Sequence, residues 1–211
     1  MSTARAAGWA YADEFVAEPE VIASARARAE ALGAASVAAG AGPVLRALAA
    51  ATRPKAVVEV GTGAGVSGLW LLAGMPPEGV LTTIDVDAEH QRAAKEAFAD
   101  AGVPHQRTRV IGGRALDVLG RMTDGAYDLA FVDGAAEEYP AYVEQVTRLL
   151  RPGGVLVIDG MLGRGSVADP AARDELTRSL RDLGKSLRDD DVYTATVLIP
   201  VGDGLLVAVR S

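Results

Sequence analysis

The feature that most constrains this chain is an alternation between two hydrophobic periods. Short runs rich in β-branched residues (56–60, 80–85, 107–111, 127–133 and 155–159) are separated by stretches with helical spacing. Several of the runs are apolar almost throughout, the pattern of strands covered on both faces by helices in a parallel sheet. Parallel neighbours need a crossover, so the alternation predicts a doubly wound α/β architecture. Asp87 is placed to cap a helix through Ala93, Ala94, Ala97 and Phe98 that stops near Gly102. A second helix carries Val143, Val146 and Leu150 on one face and ends at Pro152-Gly153-Gly154. Asp169-Pro170 reads as a cap and first-turn proline, with Leu176, Leu180, Leu183 and Leu187 following at helical spacing.

Near the end the alternation stops. Residues 193–199 and 205–209 flank Pro200-Val201-Gly202-Asp203-Gly204, which predicts a terminal antiparallel hairpin and brings the expected sheet to seven strands, mostly parallel. Ahead of the first strand, residues 15–52 are alanine-rich and helical, with Val21, Ile22, Ala25, Ala29 and Leu32 in a stripe that covers the site mouth or a dimer interface. At roughly 100–200 residues per domain, 211 residues imply one domain, with 1–52 as helical cover and 53–211 as core.

Composition removes whole classes of chemistry. The chain has no cysteine, which excludes disulfides, thiolate nucleophiles, zinc ribbons and iron–sulfur clusters. Its two histidines, His90 and His105, cannot build a multi-histidine metal site. A net charge of −7 repels a phosphate backbone, so no nucleic-acid partner is expected. No apolar run reaches the roughly 20 residues of a membrane span, and Asp13, Glu14 and Glu18 do not suit a signal peptide, so the expectation is a soluble cytoplasmic protein with no membrane partner.

The informative stretch is Glu59-Val60-Gly61-Thr62-Gly63-Ala64-Gly65-Val66-Ser67-Gly68, between a strand and a helix. Glycines let the backbone turn sharply and approach a ligand closely. The dinucleotide fingerprint needs glycine where Val66 stands, and the acidic Glu59 suits a positively charged ligand better than a pyrophosphate. Asp85 ends the next strand, where a carboxylate accepts hydrogen bonds from ribose hydroxyls. Gly112-Gly113-Arg114-Ala115 follows the third strand, where an adenine would lie. With Glu59, Asp85, Asp133 and Asp159, four of the five runs end in or beside carboxylates, each with a desolvation cost that packing does not explain.

These residues carry a family resemblance. Val57-Val58-Glu59-Val60-Gly61-Thr62-Gly63-Ala64-Gly65, Leu81-Thr82-Thr83-Ile84-Asp85, Tyr127-Asp128-Leu129-Ala130-Phe131-Val132-Asp133, Leu149-Leu150-Arg151-Pro152-Gly153-Gly154 and Pro200-Val201-Gly202-Asp203-Gly204 resemble small bacterial class I O-methyltransferases of the catechol O-methyltransferase type, over residues 30–210. The resemblance implies a Rossmann-like fold, S-adenosylmethionine (SAM) as methyl donor, a small-molecule hydroxyl acceptor and a homodimer. It places Glu59, Gly61, Thr62, Gly63 and Ser67 at the methionine end and loop side of SAM, Asp85 on the ribose and Ala115 on the adenine. It also places Asp133 near the sulfonium and Val37 over the methionine portion.

In that family a divalent cation, bound by two aspartates and an asparagine, activates a vicinal diol, and a lysine assists deprotonation. The aspartates match Asp133 and Asp159, but Gly160 and Ala136 stand at the asparagine and lysine positions. Magnesium can be held by one or two carboxylates with waters, so the metal site is weakened rather than removed. The expectation is turnover only modestly sensitive to chelation, with Asp133 orienting the acceptor or taking its proton, and Glu137 or Tyr139 behind it.

Two competing functions are a SAM-binding protein with little catalysis, suggested by Ala136 and Gly160, and a nicotinamide-dependent oxidoreductase, opposed by Val66 and Glu59. Amine methylation of nucleic acid or protein is a weaker branch, because Asp133-Gly134-Ala135-Ala136 lacks the Asn/Asp-Pro-Pro-aromatic pattern. His90 and His105 read as exposed or capping, Trp70 as core, and Arg188-Asp189-Asp190-Asp191 as a solvated helix end. Trp9 and Tyr11 cover either the acceptor pocket or a subunit contact, and Met161-Leu162-Gly163-Arg164-Gly165 lines the acceptor pocket.

Overall fold

The computed structural model describes residues 3–211. Three helices, α1 (Thr3–Asp13), α2 (Glu20–Leu32) and α3 (Ala41–Thr52), precede the first strand. Alternation then runs β1 (Ala56–Val60), α4 (Val66–Gly74), β2 (Val80–Asp85), α5 (Ala88–Asp100), β3 (Thr108–Gly112), α6 (Ala115–Leu119), β4 (Tyr127–Val132), α7 (Tyr139–Leu149) and β5 (Leu150–Ile158). The chain closes with α8 (Glu175–Asp189), β6 (Tyr193–Ile199) and β7 (Leu205–Arg210). The seven strands form one sheet in the order β3-β2-β1-β4-β5-β7-β6, parallel except that β7 runs against both β5 and β6. This is the doubly wound sheet with a terminal hairpin that the sequence pattern implies.

Each face of the sheet carries its own core, which is why the central strands are apolar on both sides. Val57, Leu81, Leu129, Phe131 and Val157 pack with Leu45, Leu69, Trp70 and Phe98 on one face. Val58, Val60, Ile84, Val132 and Ile158 pack with Leu119, Val146, Leu180 and Leu187 on the other. Trp70 is core, at 1% exposure, and it lies so close to Gly42 that a Cβ there would meet its indole nitrogen at 2.1 Å. Ile22, Ala25 and Ala29 bury the face of α2 as expected, whereas Leu32 at its end is exposed.

Three boundaries differ from the sequence reading. Leu150 opens β5 rather than closing α7, and Pro152-Gly153-Gly154 lies within β5. Gly112 extends β3, while Arg107 falls in a 3-10 turn before it. The last long helix starts at Glu175, not at Pro170: Asp174 is its cap, accepting from the Thr177 amide at 2.9 Å and hydroxyl at 2.7 Å. Asp169 instead accepts from the Ala171 amide, a local turn, and the preceding segment is drawn onto α8 by Arg181. That guanidinium donates to the carbonyls of Ser166, Val167, Asp169 and Ala172, so the backbone is satisfied by one side chain instead of by helix.

Candidate active site

Register, more than any single residue, builds the site. Val60 pairs with Ile84 on one side and Val132 on the other, and Val132 pairs with Ile158. The next residue of each strand is therefore level with its neighbours, and the sheet hydrogen bonds continue one step further. The Gly61 amide donates to the Ile84 carbonyl at 2.9 Å, that of Asp133 to Val60 at 2.9 Å, that of Asp159 to Val132 at 3.0 Å, and that of Gly113 to Asp85 at 2.9 Å. Across the carboxyl edge the order is Asp85, Gly61, Asp133, Asp159, at about 4.8 Å per strand. Gly61 sits where the strand order reverses, the usual position of a ligand crevice in such sheets. At φ 92° it approaches Asp133 so closely that a Cβ would meet the Asp133 carbonyl oxygen at 2.1 Å.

A cavity of about 410 Å³ opens at this point, within the range of small-molecule sites. Val37, Gly61, Thr62, Gly63, Ser67, Asp85, Ala115 and Asp133 all line it. Asp85 is held by the glycine loop: its Oδ2 accepts from the amides of Thr62 at 3.1 Å and Gly63 at 2.9 Å, and its Oδ1 from that of Asp87 at 2.9 Å. Val37 is 1% exposed and is fixed by Arg26, which donates to its carbonyl at 2.8 Å and pairs with Glu18. The Thr62 hydroxyl turns away from the cavity to pair with Thr83 at 2.7 Å, so Thr62 presents backbone to the site.

Glu59 departs from the expected placement. It is fully buried and is absent from the cavity wall, because it points to the α4 face of β1. The Ser67 hydroxyl donates to its Oε1 at 2.7 Å, and Oε2 has no partner. Burial pushes the carboxyl up to about 7, against the hydroxyls of Thr83 and Ser67, and the Asp85 charge adds to the rise. Glu59 thus acts on the cavity through Ser67.

The cavity also has residues that sequence reasoning missed. His90 is part of its wall, with Nδ1 3.5 Å from Asp85 Oδ2, rather than a merely exposed residue. Its position was readable in retrospect, since it falls on the first turn of α5, three residues after the cap Asp87. Arg114 pairs with Glu138 at 3.1 Å, and Glu138 accepts from the Tyr142 hydroxyl at 2.5 Å, closing one side of the cavity with a polar chain from two loops. Only the tertiary fold brings these three together. His105 lies in a 3-10 turn away from the cavity, and Arg188-Asp189-Asp190-Asp191 is exposed, both as expected.

Beyond Asp133 the site is acidic. Asp133 is pushed well above the usual carboxylate range by burial and by the charges of Asp159 and Glu59. Asp159, 9% exposed, is raised to about 6 by burial and by Asp203, while the Gly160 amide holds it down, and its Oδ1 has no partner. Tyr139, 3% exposed, is raised by burial and by the charges of Asp133, Asp159 and Asp203. For a metal, this donor set falls short: Gly160 and Ala136 bring no side-chain ligand, and among the described residues no three His, Asp or Glu side chains form a group able to hold an ion.

The direction at Glu59 has a measurable consequence. An acid whose folded pKa lies above its unfolded value binds its proton more tightly when folded, so its contribution to stability falls as pH rises from about 4.5 through about 7. Glu59→Gln, with no charge to bury, is expected to gain stability relative to the parent over that window, by up to roughly 3 kcal/mol. Paired urea titrations at pH 5 and pH 8 check this, and an unchanged difference between the two proteins contradicts it.

Comparison with known proteins agrees with this geometry. An O-methyltransferase family model matches residues 13–211. A curated protein of Mycobacterium sp. (strain JLS), named "Putative O-methyltransferase", is 50% identical over 201 residues, covering 95% of this chain and 91% of its own. Among solved structures, a Corynebacterium glutamicum protein superposes with a TM-score of 0.90 at 30% identity, covering 99% of this chain and 98% of its own. The O-methyltransferase TomG of Streptomyces achromogenes, involved in tomaymycin synthesis and solved in complex with SAM, superposes with a TM-score of 0.85 at 28% identity, covering 100% of this chain and 99% of its own. Because the match takes in every strand and the whole cavity wall, this chain belongs to the O-methyltransferase family.

Proposed function

We propose that the protein transfers a methyl group from SAM to a hydroxyl of a small-molecule acceptor. The observation that carries this reading is the in-register edge of Asp85, Gly61 and Asp133 at the strand-order reversal. It sets a carboxylate suited to ribose, an open backbone cradle and a half-buried carboxyl side by side. The residues present fit SAM. Asp85 is oriented by three amides and keeps lone pairs for ribose hydroxyls. Ala115, small and 7% exposed, offers an apolar surface to adenine. Asp133, a half-buried carboxyl group on the cavity wall, has no ion-pair partner among the described residues, which suits a ligand bearing positive charge. The finer assignments, with Val37, Gly61, Thr62, Gly63 and Ser67 along the methionine end and loop, rest on the cavity wall and on family resemblance.

SAM, when bound, supplies a methyl group on a cationic sulfur, so that as the acceptor O–C bond forms the C–S bond breaks and a neutral thioether leaves. What the chain must supply is alignment and a place for the hydroxyl proton. Alignment comes from the rigid strand ends, which hold Asp85 and Asp133 on opposite sides of Gly61. Asp133 takes the proton and passes it to solvent. Burial and neighbouring carboxylates raise its pKa, and cationic charge beside it acts in the opposite direction, towards the carboxylate that accepts. No step is routed through a metal, because the side-chain donors at Asp133 and Asp159 fall short of a metal site.

A single domain spanning residues 1–211, acting in the cytoplasm as a homodimer, completes the reading. Among the described residues no helix is long and apolar enough to cross a membrane. Tyr11 and Phe15, both 71% exposed, with Val16 beside them and Val197 and Leu198 on the edge strand β6, support a subunit contact.

Asp85→Ala is expected to weaken S-adenosylhomocysteine binding at least ten-fold in calorimetry, with circular dichroism unchanged; parental affinity in the variant would remove Asp85 from the site. Turnover of methyl-labelled SAM against phenols, catechols and hydroxy acids is expected to persist in excess EDTA, and complete loss restored by magnesium would overturn the metal-free reading. Sedimentation at micromolar concentration should give twice the 21.7 kDa chain mass, whereas a single-chain mass rejects the dimer.

A further inference from the structure

One side chain ties together the segments on either side of α2. Arg26, in the second turn of that helix, donates from Nε to Glu18 Oε2 at 3.0 Å and from Nη2 to Glu18 Oε1 at 2.7 Å. Its Nη1 donates to the Val37 carbonyl at 2.8 Å. All three guanidinium nitrogens are thus engaged, two by a carboxylate before the helix and one by a carbonyl after it. Both side chains are half-buried, so solvent screens this pair less than a surface one.

The carbonyl that Arg26 holds belongs to a strap with little else to orient it. Residues 34–38 have no regular secondary structure, and Ala34, Ala35, Ser36 and Val37 form one wall of the cavity. Among the described residues, the backbone of Ala35, Ser36 and Val37 makes no hydrogen bond except the one from Arg26. The Val37 side chain is buried in the same apolar cluster as Ile22 and Ala25, which anchors one point of the strap but not the direction of its peptide planes. The strap abuts the glycine loop, with the Ala35 carbonyl oxygen 3.4 Å from where a Cβ of Gly63 would stand. Turning those peptides would therefore change the gap between two walls of the cavity. The helix behind them is a firm base: Ile22, Ala25 and Ala29 are buried, and Arg28 joins α2 to Asp100 of α5 at 2.7 Å.

We propose that Arg26, aimed by Glu18, is a positioning residue for SAM, presetting the 34–37 strap so that the amino-acid portion of the cofactor meets a finished wall. This rests on the methyl-transfer reading, and on Val37 lying along that portion. A planar fork grips a carboxylate with one edge and still has a donor for a carbonyl, which an ammonium group cannot do in a fixed geometry. The gain is preorganisation: a strap that is ordered only on binding subtracts its conformational entropy from the affinity. The adenosine portion, met by Asp85 and Ala115 from other loops, does not depend on the strap.

The test is calorimetry on the intact protein with S-adenosylhomocysteine and with methylthioadenosine, which has the same nucleoside and sulfur but no amino-acid portion. Arg26→Met keeps the apolar stem and removes the fork; it is expected to weaken S-adenosylhomocysteine about ten-fold while methylthioadenosine stays within two-fold of the parent. Arg28→Met removes the ion pairs to Asp100 and Glu96 from the same helix and is expected to leave both affinities unchanged. Glu18→Ala is expected to weaken S-adenosylhomocysteine as well. Combining it with Arg26→Met should bring no further loss, since Glu18 acts only through the guanidinium. Parental S-adenosylhomocysteine affinity in Arg26→Met overturns the inference. So does an equal loss for both ligands, or the same loss in Arg28→Met, because either marks general loosening of the fold. Binding of neither ligand by the parent protein would instead sink the methyl-transfer reading, so the two failures are distinct.

Discussion

Everything at the site depends on the alignment of four parallel strands at their carboxyl ends. The amides of Gly61, Asp133 and Asp159 each donate to a carbonyl at the end of a neighbouring strand, in its last or last-but-one residue, so the backbone that carries the site is still part of the sheet. A one-residue slip of any strand would turn its acidic residue to the opposite face. The apolar runs prevent such a slip, since each central strand is packed by side chains on both sides and has no free face to exchange. Rigidity at Asp85 and Asp133 is thus a product of core packing, although neither residue belongs to the core.

The same arrangement concentrates buried acid groups. Glu59, Asp133 and Asp159 are all raised by desolvation, and each raises or is raised by another carboxylate. Folding is destabilised by these groups at neutral pH, which is expected where a site is organised for a ligand and not for stability. A cationic ligand relieves the repulsion, so binding affinity and the cost to the empty protein share one origin. Asp85 differs from the other three in being held by the amides of Thr62, Gly63 and Asp87, which fix the direction of its oxygens.

Much of this was legible before the structure. The apolar runs announced parallel strands, the Pro200–Gly204 turn announced the hairpin, and the glycine loop with Asp85 and Asp133 marked the cavity. Legibility failed where one distant side chain settled a local choice. Arg181 gathers the carbonyls of residues 166–172, so the chain there stays irregular and the helix waits for Asp174. Glu59 was read as a cavity residue because strand position indicates the end of a strand more readily than the face, and the burial of both faces removed the polar alternation that would have shown it. His90, Arg114, Glu138 and Tyr142 reach the cavity wall from α5, α7 and two loops, a convergence that spacing along the chain does not encode.

The sequence by itself determined the class of fold, the order of its elements and the chemical types gathered at the strand ends, because hydrophobic period, glycine and carboxylate are local properties of residues. Tertiary structure alone decided which of those groups face the cavity, which are screened by hydroxyls or amides, and which oxygen is left without a partner. Those outcomes depend on distances between strands and helices far apart in the chain, and on how completely water is removed around each carboxylate.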